Sequence, residues 1–157
     1  VSDALQPLLS TNFGARNQER IGSFLQLGII VNGGIGIVIA LLVLLFPEGM
    51  INIFLQEGEG MTVETARRFL IYFWPAMLIN GINIALSSYF TSLHKAVHSA
   101  AIAVSRSLLL PVVFVLSLSA LIGDIGIFIA IPLAEFTTLF LAVLFFIRNT
   151  PKRVLFP

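Results

Sequence analysis

The sequence predicts an all-α, polytopic bundle of transmembrane helices, with four complete membrane spans and the end of a fifth. Composition is the first reason: 57% of the 157 residues are hydrophobic and 11% are charged, whereas a soluble domain carries about 25% charged residues. The mean hydropathy of +0.99 is the second. The third is that the apolar residues fall into four long stretches separated by polar segments. Together these features exclude an ordinary water-soluble domain.

The predicted complete spans cover residues 21–47, 66–93, 99–122 and 125–147. At a rise of about 1.5 Å per residue, helices of this length reach roughly 35 to 40 Å. They are therefore long enough to cross the roughly 30 Å hydrocarbon layer with some tilt. Because every backbone group inside lipid must be paired within its own helix, the polar connections are expected to lie outside the hydrocarbon.

Two of the connections have a predicted structure of their own. Residues 47–68 form the one long connection, where we expect a short surface helix near Met50 to Gln56 and a cap at Thr62 for the second span. By contrast, Gly123-Asp124 is a minimal turn in which Asp124 is expected to cap the last helix. The third and fourth spans are therefore predicted to form an antiparallel hairpin.

Residues 1–14 are predicted to be the end of a span that is truncated here. Gly14 is expected to close the helix at the membrane surface. Asp3 lies eleven residues before it, which places Asp3 roughly 16 Å into the membrane. We therefore expect a fragment of a larger membrane protein. No segment has the pattern of a removable signal peptide.

The basic residues predict how the chain is oriented in the membrane. One side of the predicted bundle collects six of them and the other side collects two. Because loops rich in Lys and Arg remain in the cytoplasm, the first side and the C-terminus are predicted to be cytoplasmic. The six are Arg16, Arg20, Lys95, Arg148, Lys152 and Arg153, and the two are Arg67 and Arg68.

Polar residues form two stripes within the predicted helices, each with the spacing i, i+3 and i+7 that places side chains on one helix face. In lipid such stripes turn inward. They serve either as hydrogen bonds between helices, worth about 0.6 kcal/mol on average, or as the lining of a ligand path. The stripes are Asn80, Asn83 and Ser87 in the second span, and Asp3, Gln6 and Ser10 in the first segment.

Two charged residues lie inside predicted spans. Glu135 sits eleven residues into a 23-residue span, where a charged carboxylate costs roughly 2.5 to 3.5 kcal/mol. It is expected to face an interior, where it is protonated, paired with Arg106 or exposed to a water-filled cavity. The alternative is a structural hydrogen bond to a neighbouring helix. Arg106 lies nearer a membrane surface, so its side chain is expected to extend toward the lipid head groups in a supporting role.

Each complete span also carries helix-weakening residues away from its ends. Proline leaves a carbonyl unpaired and bends a helix, which suits a bundle that flexes or lines a cavity. The alternative is simple packing irregularity, and Gly36 with Ala40 fits a close contact between small residues. The residues are Gly33, Gly34 and Gly36, followed by Pro75, Pro111 and Pro132.

Enzymatic sites are not predicted. His94 and His98 have an i, i+4 spacing but lack the glutamate of the H-E-x-x-H zinc motif. These histidines and Asp124 are predicted to lie on opposite sides of the membrane, so a Ser-His-Asp triad cannot assemble. The chain has no cysteine, and its glycines match no nucleotide-binding pattern. We expect no metal site and no nucleic-acid partner.

Four segments resemble one transporter family. Gln6-Pro-Leu-Leu-Ser-Thr-Asn-Phe-Gly-Ala-Arg16 is similar to the Q-P-x-x-S-x-N-x-G-A-[KR] signature that ends a cytoplasmic-facing helix in MATE (multidrug and toxic compound extrusion) transporters. The segments that begin at Ser87, Arg106 and Gly126 resemble the tenth, eleventh and twelfth helices of the family, in that order. The resemblance covers essentially the whole chain, and the first segment is the most specific.

The resemblance implies that residues 1–157 are most of the C-terminal lobe of a twelve-helix antiporter, whose N-terminal lobe is the missing partner. Family members export small organic cations or drugs in exchange for sodium ions or protons. The coupling ion is thus expected to be sodium or a proton, and no other cofactor is expected. The expected lining of the path is Asp3, Gln6, Asn80, Asn83 and Glu135.

One departure from the family bears on coupling. Some members use a carboxylate in helix ten, where the nearest match here is Asn80, and an amide cannot release a proton. Coupling is then expected to rest on Asp3, on Glu135 or on an acid in the missing lobe. The alternatives are a lipid-linked polysaccharide flippase of the same superfamily and a non-transporting structural bundle. Short connections favour a multi-pass protein of a bacterial inner membrane.

Overall fold

The computed structural model describes residues 1–54 and 60–156, and every regular element in these ranges is a helix. Within these ranges, four helical segments are long and apolar enough to cross a membrane, which confirms the predicted all-α polytopic bundle: Gln18–Leu45, Gly60–Ser92, Ala96–Ile122 and Asp124–Arg148. The helices are α1 (Ser2–Gly14), α2 (Gln18–Leu45), α3 (Pro47–Phe54), α4 (Gly60–Ser92), α5 (Ala96–Val104), α6 (Leu110–Ile122), α7 (Asp124–Arg148) and α8 (Pro151–Leu155).

The helix boundaries agree with the predicted ones to within a few residues, except in the long connection. Helix α4 already includes Gly60, six residues before the predicted start of the second span, so Thr62 lies in its first turn rather than before it. The short helix α3 begins at Pro47, earlier than predicted. The predicted end of that helix at Gln56 lies outside the described residues.

Helix α4 lies at the centre of the bundle and packs against α1, α2, α5 and α7. Glycine residues on both helices allow α4 to approach α2 closely. A Cβ atom on Gly36 would meet the carbonyl oxygen of Met77 at 2.5 Å, and one on Gly81 would meet the Cβ of Asn32 at 2.8 Å. The predicted small-residue contact at Gly36 is therefore confirmed, and it brings the two backbones together.

One end of the bundle collects the ends of α1, α4 and α7. The rings of Phe13 and His94 lie 5.9 Å apart, and the hydroxyl of Tyr89 donates a 2.7 Å hydrogen bond to the carbonyl oxygen of Asn149. Tyr89 and Phe90 are fully buried in the apolar core of this end. We call it the basic end, because the adjoining segments carry Arg16, Arg20, Lys95, Arg148, Lys152 and Arg153.

The third span is one continuous helix interrupted by a π-helical turn, Ser105–Leu109, which joins α5 to α6. In this turn the backbone N–H of Leu110 donates to the carbonyl of Ser105, five residues earlier. Pro111 follows directly; it lacks an N–H, and its ring crowds the carbonyl four residues before it. A π turn is a recognised way for a helix to absorb such a disturbance, and π turns are frequent at functional sites. This turn contains Arg106.

The third and fourth spans pack as the predicted hairpin, with α6 against α7. Gly123 turns the chain with a φ of +66°, and a Cβ on Gly126 would overlap the backbone of Leu118. The predicted cap is wrong, because Asp124 is itself the first residue of α7 and its side chain forms no capping bond. Its carboxylate instead lies in the first turn, where the helix dipole favours an acid.

Candidate functional site

Glu135 is the centre of the candidate site. It lies on α7 near the middle of the fourth span, and it is the one buried carboxylate among the described residues, with 6% of its surface exposed. The helix places it toward α4, since Ala134 and Thr138 beside it are also fully buried. The expectation that Glu135 faces the interior of the bundle agrees with this position.

Asn83 of α4 holds Glu135 in place. Its side-chain amide donates to the carboxylate oxygen Oε2 at 2.7 Å and to the backbone carbonyl of Glu135 at 3.0 Å. Asn83 has no exposed surface, and its own oxygen Oδ1 is buried without a hydrogen-bond partner. A buried unpaired acceptor is costly, so a hydrogen-bond donor or a cation that reached this oxygen would be stabilised by it.

Arg106 completes the site from the third span. Its Nη1 atom donates a 2.6 Å hydrogen bond to Oδ1 of Asn80 and lies 4.0 Å from Oε1 of Glu135. The expectation that Arg106 extends toward the lipid head groups is therefore wrong. A guanidinium inside a span is costly unless it is paired, and an amide and a carboxylate are within its reach. We call Asn80, Asn83, Arg106 and Glu135 the polar cluster.

The polar cluster joins three spans through charge and hydrogen bonding. An ionised Glu135 and Arg106 balance one another, which limits the cost of burying either. The side-chain oxygen atoms of the cluster belong to Asn80 and Asn83 on α4 and to Glu135 on α7, and oxygen atoms are the ligands that hard cations take. The arrangement is suited to exchanging one positive charge for another at Glu135.

The other two predicted lining residues do not join the polar cluster. Asp3 is exposed on α1 and has neither a hydrogen-bond nor an ion-pair partner among residues 1–54 and 60–156. Gln6 is half-buried, and its backbone carbonyl accepts a bond from the hydroxyl of Ser92. Its side chain borders a separate cavity between α1, α4 and α5.

That cavity, which we call the hydroxyl cavity, has a volume of about 150 Å³. Ser2 and Ser88 share a 2.7 Å hydrogen bond across it, and Thr91 and Ser99 share one of 2.6 Å beside it. Arg106 also lines it. The residues of its wall are Ser2, Gln6, Ile84, Ser87, Ser88, Thr91, Ile102, Ala103 and Arg106. Ser2 and Ser88 are not among the residues that the sequence predicted for a site, although hydroxyl residues recur near the end of α4.

Comparison with known protein families identifies the chain. The model of the MatE family matches residues 1–117, a range that contains α1, α2, α4 and the π turn. The chain belongs to the MatE family. It is therefore part of a membrane transporter of the MATE superfamily. No curated protein and no solved structure matches it.

The three prolines of the predicted spans of this MatE chain lie within helical segments, as the sequence predicted. Pro75 lies inside α4 and Pro132 inside α7, while Pro111 follows the π turn at the start of α6. Pro132 is buried one turn before Glu135. Each proline removes a backbone hydrogen bond within its helix. The hinge role predicted for them stays a prediction.

The two histidines of the MatE chain serve packing. The ring of His98 stacks on Phe90 with centroids 5.4 Å apart and meets Phe145 edge-on at 4.8 Å. His94 contacts Phe13. Within the described residues, no group of three or more His, Cys, Asp or Glu side chains is placed to hold a metal ion.

Proposed function

We propose that this MatE chain is the C-terminal lobe of a secondary active antiporter, which exports organic cations or drugs in exchange for sodium ions or protons. The observation that carries the proposal is the buried Glu135 with the unpartnered Oδ1 of Asn83 beside it. An acid near the middle of a membrane span is a functional candidate by default, because burying it unpaired is costly. Here it has a specific polar environment that includes a free acceptor.

In this proposal Glu135 binds the positive charges that are exchanged. When no cation is bound, Arg106 balances the carboxylate from 4.0 Å. An arriving sodium ion or proton neutralises Glu135, which weakens the attraction of Arg106 and biases the lobe toward another arrangement. Because Asn80 is neutral, we assign the coupling role to Glu135 rather than to the position of the helix-ten acid. Asp3, exposed on α1, is not assigned one.

The test measures export by the complete transporter that contains this chain, produced in a drug-sensitive bacterium. Ethidium efflux is followed with and without a sodium gradient at two pH values. Stimulation by sodium or by protons is expected and would identify the coupling ion. Glu135→Gln should abolish that stimulation, because an amide neither ionises nor neutralises Arg106.

The matched control is Glu19→Gln, the same change at an exposed acid of α2. It should retain full efflux. Unchanged efflux and unchanged ion dependence in Glu135→Gln, with both proteins present in the membrane in equal amounts, would contradict the coupling role of Glu135.

A lipid-linked polysaccharide flippase is the second candidate. The observation that favours it is Arg106, a guanidinium that borders the hydroxyl cavity and could bind an anionic phosphate group. The absence of efflux for several cationic dyes, together with translocation of a lipid-linked sugar in reconstituted vesicles, would favour this function. A structural bundle would support neither activity.

A further inference from the structure

We infer that the hydroxyl cavity is a water-filled route by which the coupling ion passes between the basic end of the bundle and Glu135, with Arg106 at its inner limit. The inference rests on the proposed coupling role of Glu135. It adds a path and a gating residue to that role. Neither follows from the polar cluster alone, since the cavity is formed mainly by other residues on α1, α4 and α5.

The position of the cavity is the first support. Along α4 its wall extends from Thr91 to Ile84, a distance of about 10 Å in a helix. Thr91 is exposed and lies one residue before the end of α4 at the basic end. Arg106 is ten residues after the start of α5, which places it deep in the same span. The cavity therefore begins near one membrane surface and ends at the polar cluster.

The chemistry of the wall is the second support. A hydroxyl both donates and accepts hydrogen bonds, and hydroxyls inside a membrane span are costly unless they have partners. The hydroxyls of Ser87 and Ser99 share a hydrogen bond of 3.2 Å, and the hydroxyl of Ser99 is also hydrogen-bonded to that of Thr91. A cavity of about 150 Å³ has room for about five water molecules. Its polar wall can stabilise water or a partly hydrated cation.

Arg106 connects the cavity to the carboxylate. The same side chain borders the cavity and lies 4.0 Å from Oε1 of Glu135. A cation that moves inward along the cavity therefore meets a positive guanidinium first, which repels it. The hydrogen bond from Arg106 to Asn80 holds this guanidinium within the polar cluster. Passage requires Arg106 to move away from Glu135, so we assign it the role of an inner gate.

The first measurement tests whether the cavity contains water. Ser87→Cys is introduced into the complete transporter in a background without other reactive cysteines, and a membrane-impermeant maleimide is applied to inside-out vesicles. A thiol in water ionises and reacts, whereas a thiol facing lipid does not. Ser87→Cys is expected to react, and Ser117→Cys, on the exposed surface of α6, is the control that should not.

The second measurement fills the cavity without removing a polar group. Ala103→Leu adds apolar atoms at the cavity wall, and Ala100→Leu makes the same change at an exposed position of α5 outside the cavity. Ala103→Leu is expected to slow labelling of Ser87→Cys several-fold and to reduce ion-stimulated efflux. Ala100→Leu should change neither.

The outcomes separate this inference from the proposed function. Absence of labelling at Ser87→Cys would overturn the water-filled cavity, and so would labelling that Ala103→Leu leaves unchanged. Normal efflux in Ala103→Leu with labelling blocked would overturn the route. If Glu135→Gln retains normal ion dependence while labelling follows the expected pattern, the coupling role of Glu135 fails, and with it the assignment of the cavity as the route of the coupling ion.

Discussion

At the scale of single residues, the contact between Asn83 and Glu135 stabilises the polar interior of this MatE chain. Two hydrogen bonds from one amide anchor both the side chain and the backbone of Glu135. Hydrogen bonds to a charged group contribute roughly 1.5 to 3 kcal/mol, and a buried group that loses its partner is more costly still. The stability of the polar cluster is therefore expected to be sensitive to substitution of either Asn83 or Glu135.

Asn83→Leu should lower the free energy of unfolding by about 1 to 3 kcal/mol, because it leaves a buried carboxylate with fewer partners. Thermal unfolding of the purified transporter in detergent measures the change. The variants Glu135→Leu and Asn83→Leu/Glu135→Leu complete a double-mutant cycle. Since both leave Arg106 without its carboxylate, Asn83→Leu is expected to cost less stability in the Glu135→Leu background than in the unchanged chain. An equal cost in the two backgrounds would show that the contact with Glu135 is not the cause.

At the scale of helices, the packing of α2 on α4 requires glycine at position 36 of α2 but not at the neighbouring glycines of the same helix. A Cβ on Gly36 would meet the backbone of α4, whereas one on Gly33 or Gly34 would meet nothing within 4 Å. The three glycines look equivalent in the sequence. The structure separates them because a helix presents only one face to its neighbour.

Gly36→Ala should destabilise the transporter by about 1 to 3 kcal/mol, because α2 and α4 must move apart to admit the methyl group. The matched variant Gly33→Ala is expected to be neutral or slightly stabilising, since alanine favours a helix by about 1 kcal/mol over glycine. Melting temperatures of both variants in the same detergent test this contrast. Equal loss in the two variants would mean that helix flexibility, and not close packing, explains these glycines.

At the scale of the whole molecule, the ends of the bundle differ in charge. The basic end gathers the segments between α1 and α2, between α4 and α5, and after α7. The opposite end carries exposed ion pairs, Arg67 with Glu48 at 3.2 Å and Arg68 with Glu64 at 3.0 Å. Such exposed pairs contribute little stability. The distribution of charge therefore bears on orientation more than on folding.

We expect the basic end to face the cytoplasm. Asp124→Cys, at the hairpin turn, should react with an impermeant maleimide applied to intact cells, while His94→Cys should react only in inside-out vesicles. Both positions are exposed, so a difference in labelling reports the side of the membrane and not burial. The reverse pattern would contradict the orientation given by the basic residues.

The sequence by itself determined the all-α class, the approximate limits of the four spans and the residues able to disturb them. These are local properties: the length of an apolar stretch decides whether it can cross a bilayer. The unusual position of Glu135 was also visible, because a lone carboxylate in such a stretch is costly wherever the helix packs.

Only the tertiary structure decided which polar residues meet. Asn83 and Glu135 are 52 positions apart, and Asn80 and Arg106 are 26 apart. Sequence spacing alone left Arg106 free to extend toward the head groups or to pair within the bundle. Because the third and fourth spans pack on α4, Arg106 contacts Asn80 and Glu135 inside the bundle. The contacts of α1 and α5 with α4 form the hydroxyl cavity. Partners of this kind depend on how helices pack, which no single apolar stretch encodes.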